Sequence, residues 1–141
     1  MKRILFSLLI LAIAATAYSK EISKDKIPVL IEDKFYKDFP HAEIVKWEVT
    51  MENLYKVEFW EENYYITAFY DPDGEFLESV LIIDWLNLPP EGRKRIHSLG
   101  KHRIINVLRI ANFHNEVYYQ IDYSRNFKRH QLLLDENGKE I

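Results

Sequence analysis

Tyr55-Lys56-Val57-Glu58-Phe59, followed by Ala68-Phe69-Tyr70-Asp71-Pro72-Asp73-Gly74, is the stretch that decides the fold. Sixty-four positions later the chain reads Tyr119-Gln120-Ile121-Asp122-Tyr123, followed by Leu132-Leu133-Leu134-Asp135-Glu136-Asn137-Gly138. In both copies a period-two strand pattern runs into an Asp-x-[Asp/Asn]-Gly turn. Upstream, Ile27-Pro28 and Leu88-Pro89 each open a helical stretch, 61 positions apart, and His41 and His102 coincide at the same offset. Three residues inserted near Asn112 to Glu116 account for the drift between the two offsets. A repeat of this kind governs the architecture and is read before anything else.

In the first copy Ile27, Ile31, Phe35 and Phe39 form one apolar helical stripe, while Glu32, Asp33, Lys34 and Lys37 face away. Pro28 suits a first turn and Pro40 an end. Three alternating segments follow: Val45, Trp47 and Val49; Tyr55, Val57 and Phe59; Ile66, Ala68 and Tyr70. A fourth strand is expected from Glu75 to about Ile83. Short turns between them require antiparallel neighbours. In the second copy Pro89, Pro90 and Gly92 weaken the helix, leaving Ile96 and Leu99 as its core contacts, and strands are expected near Arg103 to Ala111, Glu116 to Tyr123 and Phe127 to Leu134. The expected fold is α+β, two tandem helix-plus-four-strand repeats forming a continuous antiparallel sheet with helices on one face.

The 141 residues contain no cysteine, which excludes disulfides, thiolate metal sites and cysteine nucleophiles together. Met1-Lys2-Arg3, the apolar run Ile4 to Ala15 and the small-x-small Ala15-Thr16-Ala17 read as a signal peptide, 1–17, cleaved after Ala17. Its twelve apolar-type positions rise only about 18 Å as a helix, against about 30 Å of bilayer hydrocarbon. A leader, 18–26, would precede repeat 1 at 27–85 and repeat 2 at 86–141. An exported chain without cysteine points to a periplasmic or secreted bacterial protein with no transmembrane anchor after cleavage. From Tyr18 to Leu88 there are 7 lysines, no arginine and 16 acids, whereas Pro89 to Ile141 carries 10 basic and 6 acidic residues.

The combination of Ile27-Pro28, Phe35, Phe39-Pro40-His41-Ala42, Val45-Lys46-Trp47, Tyr55-Lys56-Val57-Glu58-Phe59 and Tyr70-Asp71-Pro72-Asp73-Gly74 resembles the PepSY-like, or beta-lactamase-inhibitor-like, family of secreted bacterial proteins. The resemblance spans the mature chain as two copies. The second departs from it, with Gly100-Lys101-His102 at the helix end and Leu108 at the tryptophan position. What it implies is the repeated helix-and-sheet architecture, with no catalytic residues.

No nucleophile elbow, His-Glu-x-x-His or phosphate loop occurs, and the five histidines lack metal-ligand spacing. No metal or other cofactor is expected. The Asp-x-[Asp/Asn]-Gly segments read as turns with glycine at positive φ, because the later bidentate glutamate of a calcium loop is missing. Arg93, Lys94 and Arg95, within a longer basic run to Arg103, read either as a solvated helix face or as a contact for an anionic partner such as an acidic protein face or a lipid headgroup. Nucleic acid is not expected of an exported chain without interleaved aromatics. The sheet face away from the helices would present Trp60, Tyr65, Phe69 and Tyr118 among charges including Arg109 and Arg129. Aromatic anchors in a polar rim are the composition of a recognition surface; cross-strand stabilisation is the alternative. The reading is a non-enzymatic binding module, inhibitor-like, that recognises a protein or other envelope macromolecule through the open sheet face. The alternatives are a module for a carbohydrate or apolar small ligand and, last, an unrecognised enzyme.

Overall fold

The computed structural model describes residues 19–141, so the expected signal segment lies outside the described residues. The fold is α+β, with eight strands in one antiparallel order, β1 to β8. The chain divides into two compact units between Leu77 and Glu78.

The first unit contains β1 (Ser19–Ile22), a 3-10 turn (Lys24–Lys26), α1 (Val29–Asp38), β2 (Glu43–Thr50), β3 (Tyr55–Glu61) and β4 (Tyr64–Tyr70). β1 falls in the segment read above as a leader, and it pairs antiparallel with β2, with Ile22 opposite Trp47. Helix α1 starts where Pro28 fixes φ, and Ile31 and Glu32 donate backbone hydrogen bonds to the Pro28 carbonyl at 2.9 and 3.1 Å. Its stripe puts Ile31 and Phe35 wholly out of solvent. Phe35 is the hub, edge-on to Phe59 at 4.9 Å, Trp47 at 5.4 Å and Tyr70 at 6.3 Å. Such pairings add to burial that is worth about 1.5–3 kcal/mol per large side chain. Tyr70 reconciles its buried hydroxyl by donating to Asp38 Oδ2 at 3.0 Å.

The second unit contains most of β5 (Phe76–Ile82), a 3-10 turn (Trp85–Asn87), α2 (Pro90–His97), β6 (Arg103–Asn112), β7 (Val117–Arg125) and β8 (Lys128–Leu134). Its core is aliphatic: Leu88, Ile96, Val107, Ile121, Leu132 and Leu134. Ile96 is buried on α2 as the helix reading required, whereas Leu99 is buried from just beyond the helix end.

A bulge breaks the alternation in each unit. Ile44 pairs with Phe59 and Lys46 with Glu58, so Val45 is squeezed out of register and is 53% exposed. Likewise Ile104 pairs with Tyr123 and Asn106 with Asp122, which displaces Ile105. An extra residue in one strand shifts everything on one side of it by one position. Val45 therefore leaves the core face to which its alternation assigned it. In the second unit Val107, opposite Ile121, takes the place that Trp47 holds opposite Val57, and Leu108 does not.

The recurring acidic turns are built alike. Asp71 Oδ1 accepts from the backbone N–H groups of Asp73 and Glu75, both at 2.9 Å. Asp135 Oδ1 accepts from Asn137 and Lys139, again at 2.9 Å. Gly74 and Gly138 sit at φ +81° and +84°, where other L-residues are disfavoured. These carboxylates are committed to their own backbone.

Candidate functional site

On the first unit the sheet face opposite α1 carries Lys46 and Glu48 from β2, Lys56, Glu58 and Trp60 from β3, and Tyr65, Thr67 and Phe69 from β4. Antiparallel register sets Lys46 opposite Glu58 and Glu48 opposite Lys56. The four charges close into a ring. Lys56 Nζ lies 2.6 Å from Glu48 Oε2 and 2.8 Å from Glu58 Oε1, and Lys46 Nζ lies 3.3 Å from Glu48 Oε1 and 3.5 Å from Glu58 Oε2. Glu48 and Lys56 are buried. Burial alone would raise the pKa of both glutamates, but Lys56 outweighs it, helped by Lys46 and, at Glu58, by Tyr65, so both lie below the ordinary carboxylate range.

Tyr65 extends this ring toward solvent. Its hydroxyl donates to Glu58 Oε2 at 2.6 Å, and its pKa is pushed up to about 12 by burial and by that carboxylate. Opposite Tyr65 in the register stands Trp60, edge-on at 5.1 Å and 45% exposed. A large indole is thus presented beside a tyrosine whose rotamer is fixed by a charge-assisted hydrogen bond.

The remaining residues expected on this face separate. Phe69 stands opposite Lys56 but is wholly buried, so it is unavailable to a partner: alternation gives the face of the sheet, and not whether that face is covered. Arg109 lies on the opposite face. The bulge at Ile105 places it opposite Tyr119, which packs against the helix-side core. Tyr118 and Arg129 do lie on the open face of the second unit. Tyr118 is half-buried and donates to Glu116 Oε2 at 3.1 Å, while Arg129 is exposed opposite Ser124 near a hairpin tip.

The basic run on α2 is occupied internally. Arg93 Nη1 donates to the Leu86 and Leu88 carbonyls at 3.1 and 2.8 Å. Lys94 pairs with Glu91 at 2.7 Å and Arg95 Nε with Glu140 Oε2 at 2.6 Å. Arg93 thus secures the chain entering α2, and reversing its charge would disturb the fold itself.

Sequence reasoning missed two features. The shared Lys-x-Glu spacing of Lys46-Trp47-Glu48 and Lys56-Val57-Glu58 signals a ring once the strands are paired. Glu78 on β5, opposite Asn112, is 3% exposed, its Oε1 meets no hydrogen-bond partner among the described residues, and burial pushes its pKa up to about 8. The second unit also holds an open cleft of about 530 Å³, lined by Ile82, Trp85, Ile96, His97, His102 and Ile105 among others. His102 Nδ1 lies 2.6 Å from the Gly100 carbonyl, the contact of a donor with its acceptor. Among the described residues no group of three His, Asp or Glu side chains could hold a metal ion, and no helix is long and apolar enough to cross a membrane.

No protein-family profile matches the chain, and no curated protein does. Solved structures do. A DUF2874 family protein from Bacteroides uniformis superposes with a TM-score of 0.74 at 14% identity, covering 82% of this chain and 86% of that one. A BLIP-like protein from Bacteroides fragilis gives 0.72 at 18% identity, with 81% and 82% covered. A protein of Bacteroides eggerthii, provisionally described as periplasmic, gives 0.72 at 16%, with 81% and 85% covered. The fold is BLIP-like. At these identities the likeness reaches the fold alone.

Proposed function

We propose that this chain is a non-enzymatic binding module of the bacterial envelope, exported to the periplasm or beyond, that engages a protein or other macromolecule through the open sheet face of its first unit. The observation that carries this reading is the Trp60–Tyr65 pair, exposed on one side and keyed to Glu58 and the charge ring on the other. Exposed aromatics held rigid before binding lose little entropy on association, which suits them as anchors. The ring has no net charge, so it supports the pair without repelling either sign of partner. An inhibitor-like role draws support from the BLIP-like neighbour. The two-repeat, PepSY-like reading draws support from the recurrence of one element order in both units, namely strand, 3-10 turn, helix and three strands, in which the strand expected to close repeat 1 instead opens the second unit.

The test is affinity capture from an envelope extract with the chain from Tyr18 onward, run beside Trp60→Ala and a Phe113→Ala control. Phe113 is also exposed but lies in the loop between β6 and β7, away from the strand that carries Trp60. A partner retained by wild type and Phe113→Ala but lost with Trp60→Ala supports the reading. Equal retention by all three defeats it.

The cleft favours a second reading. Its volume falls within the ordinary range for small-ligand sites, about 300–1,000 Å³, and Trp85, edge-on to His97 at 5.5 Å, offers a platform for a carbohydrate or apolar molecule. Quenching of Trp85 fluorescence on titration, lost in Trp85→Phe, would favour it over the sheet face.

A further inference from the structure

The β7–β8 hairpin turns on two residues, Asn126 and Phe127, both in the left-handed region at φ 50° and 63°. A two-residue turn of this hand favours asparagine first and glycine second. Here the second place holds a phenylalanine, disfavoured at positive φ, and its ring is fully exposed, at 106%. The hairpin itself does not demand this residue. The corresponding turn of the first unit, Glu62-Asn63 between Glu61 and Tyr64, closes with Glu62 alone of the pair at positive φ. A local misfit with no fold-level purpose, displaying the most exposed large hydrophobic side chain among the described residues, points to use.

Cations surround that ring on both faces of the hairpin. Arg125 and Lys128 stand opposite each other across the turn. One pair further in, Ser124 has Arg129 on one side and Arg103 on the other. All four are exposed, and none forms an ion pair among the described residues. The nearest acid along the hairpin, Asp122, accepts from Gln120 at 3.2 Å and Gln131 at 3.3 Å. At the corresponding place the first unit carries Glu61 and Glu62, so the basic character belongs to this tip.

We propose that the Arg125–Lys128 tip is a reversible docking point for an anionic lipid surface, with Phe127 entering the headgroup–acyl boundary and Arg103, Arg125, Lys128 and Arg129 lying among the phosphates. A lipid surface fits better than a protein for a geometric reason. A stable protein interface needs about 800 Å² per partner with a packed apolar centre, and this tip is a convex turn with one apolar side chain in a cationic collar. A bilayer accepts that shape, because its charge is spread over a deformable surface with hydrocarbon directly beneath. One ring and four cations make a weak, salt-sensitive anchor.

The experiment is co-sedimentation of the chain from Tyr18 onward with vesicles of about one-third phosphatidylglycerol in phosphatidylcholine, at low and high salt, beside pure phosphatidylcholine. Binding to the anionic vesicles at low salt, its loss at high salt and its absence from the neutral ones are expected. Phe127→Gly is the deciding variant, because it relieves the positive-φ misfit and should raise thermal stability while lowering vesicle affinity about tenfold. Arg125→Gln with Lys128→Gln should lower affinity without the gain in stability. Trp60→Ala should bind vesicles as wild type does, which keeps this proposal separate from the sheet-face reading. Failure of wild type to bind anionic vesicles at low salt, or wild-type binding by Phe127→Gly, overturns it. So does a salt-sensitive self-association, or binding to an acidic polypeptide, that Phe127→Gly abolishes in the absence of vesicle binding.

Discussion

The backbone of Gly138 passes directly against that of Gly92, so closely that a Cβ on Gly138 would overlap the Gly92 nitrogen and fall 3.0 Å from its Cα. Gly92 belongs to the first turn of α2 and Gly138 to the acidic turn after β8, and it is the missing Cβ of Gly138 that permits this contact, since a Cβ on Gly92 would stand 3.5 Å from the Gly138 Cα. Gly138→Ala meets both that overlap and a φ of +84°, and should cost about 2–4 kcal/mol. Gly74, the counterpart in the first unit, would place its Cβ 3.4 Å from the flexible Leu30 and Lys34 side chains. Gly74→Ala should therefore cost only the backbone term, about 1 kcal/mol. Urea denaturation of the two variants measures the difference, and equal losses would refute the packing argument.

Trp47 is 3% exposed against Phe35, yet its Nε1 finds no acceptor among the described residues. Trp47→Ala should cost about 3–5 kcal/mol through lost burial and a cavity. Trp47→Phe keeps much of the volume and removes the unpaired donor, so a cost of about 1–2 kcal/mol is expected. A phenylalanine variant as unstable as the alanine one would show that the N–H is satisfied in solution.

In the charge ring, loss of Lys56 leaves Lys46 as the only cation facing Glu48 and Glu58. Lys56→Met should cost about 3 kcal/mol, because a buried ion left without its partner is penalised more than the pair is worth. The double variant Lys56→Met with Glu48→Met should be less destabilised than the sum of the single changes. Additive losses in a double-mutant cycle would mean that the two side chains do not interact.

Glu78 makes stability depend on pH in the opposite sense to the ring. Its folded pKa of about 8 lies above the ordinary glutamate value, so the folded state holds the proton more tightly than the unfolded one. That contribution is complete below about pH 4.5 and declines as pH rises toward 8, by an order of about 3–5 kcal/mol in total. Glu48 and Glu58, with lowered values, contribute above the ordinary glutamate pKa and lose their contribution as pH falls below it. Glu78→Gln should flatten the unfolding free energy between pH 5 and about 8 while leaving the acid limb in place. An unchanged slope would place Glu78 in contact with water.

Much of the fold was legible because it rests on short-range rules. The stripe of Ile31 and Phe35, the prolines at the helix entries and the Asp-x-[Asp/Asn]-Gly turns each carry their own local cause, and α1, α2 and the antiparallel order follow. The site was legible only in part. Alternation cannot register a bulge, so Val45, Leu108 and Arg109 were assigned to the wrong places. It also cannot say which positions of an open face are covered, as Phe69 shows. β1 was hidden because Ser19-Lys20-Glu21-Ile22 is short and mostly polar, and acquires its strand conformation from pairing with β2. The charge ring and the basic hairpin tip depend on cross-strand register, which no single segment contains.

Within each unit every strand pairs with its neighbour in the chain. The longest excursions that pairing must close run from Ile22 to Glu43 and from Ile82 to Arg103, and each is occupied by its helix. Closure entropy grows only slowly with such lengths, and the hairpins around β3–β4 and β7–β8 need almost none. Assembly should therefore begin at those two hairpins, which can zip within about 1–10 μs, and finish as β1 and β5 are drawn in with the helices behind them. In kinetic terms, destabilising substitutions near the Glu61–Tyr64 and Arg125–Lys128 turns should slow folding, whereas those at Ile22 or Ile31 should chiefly hasten unfolding.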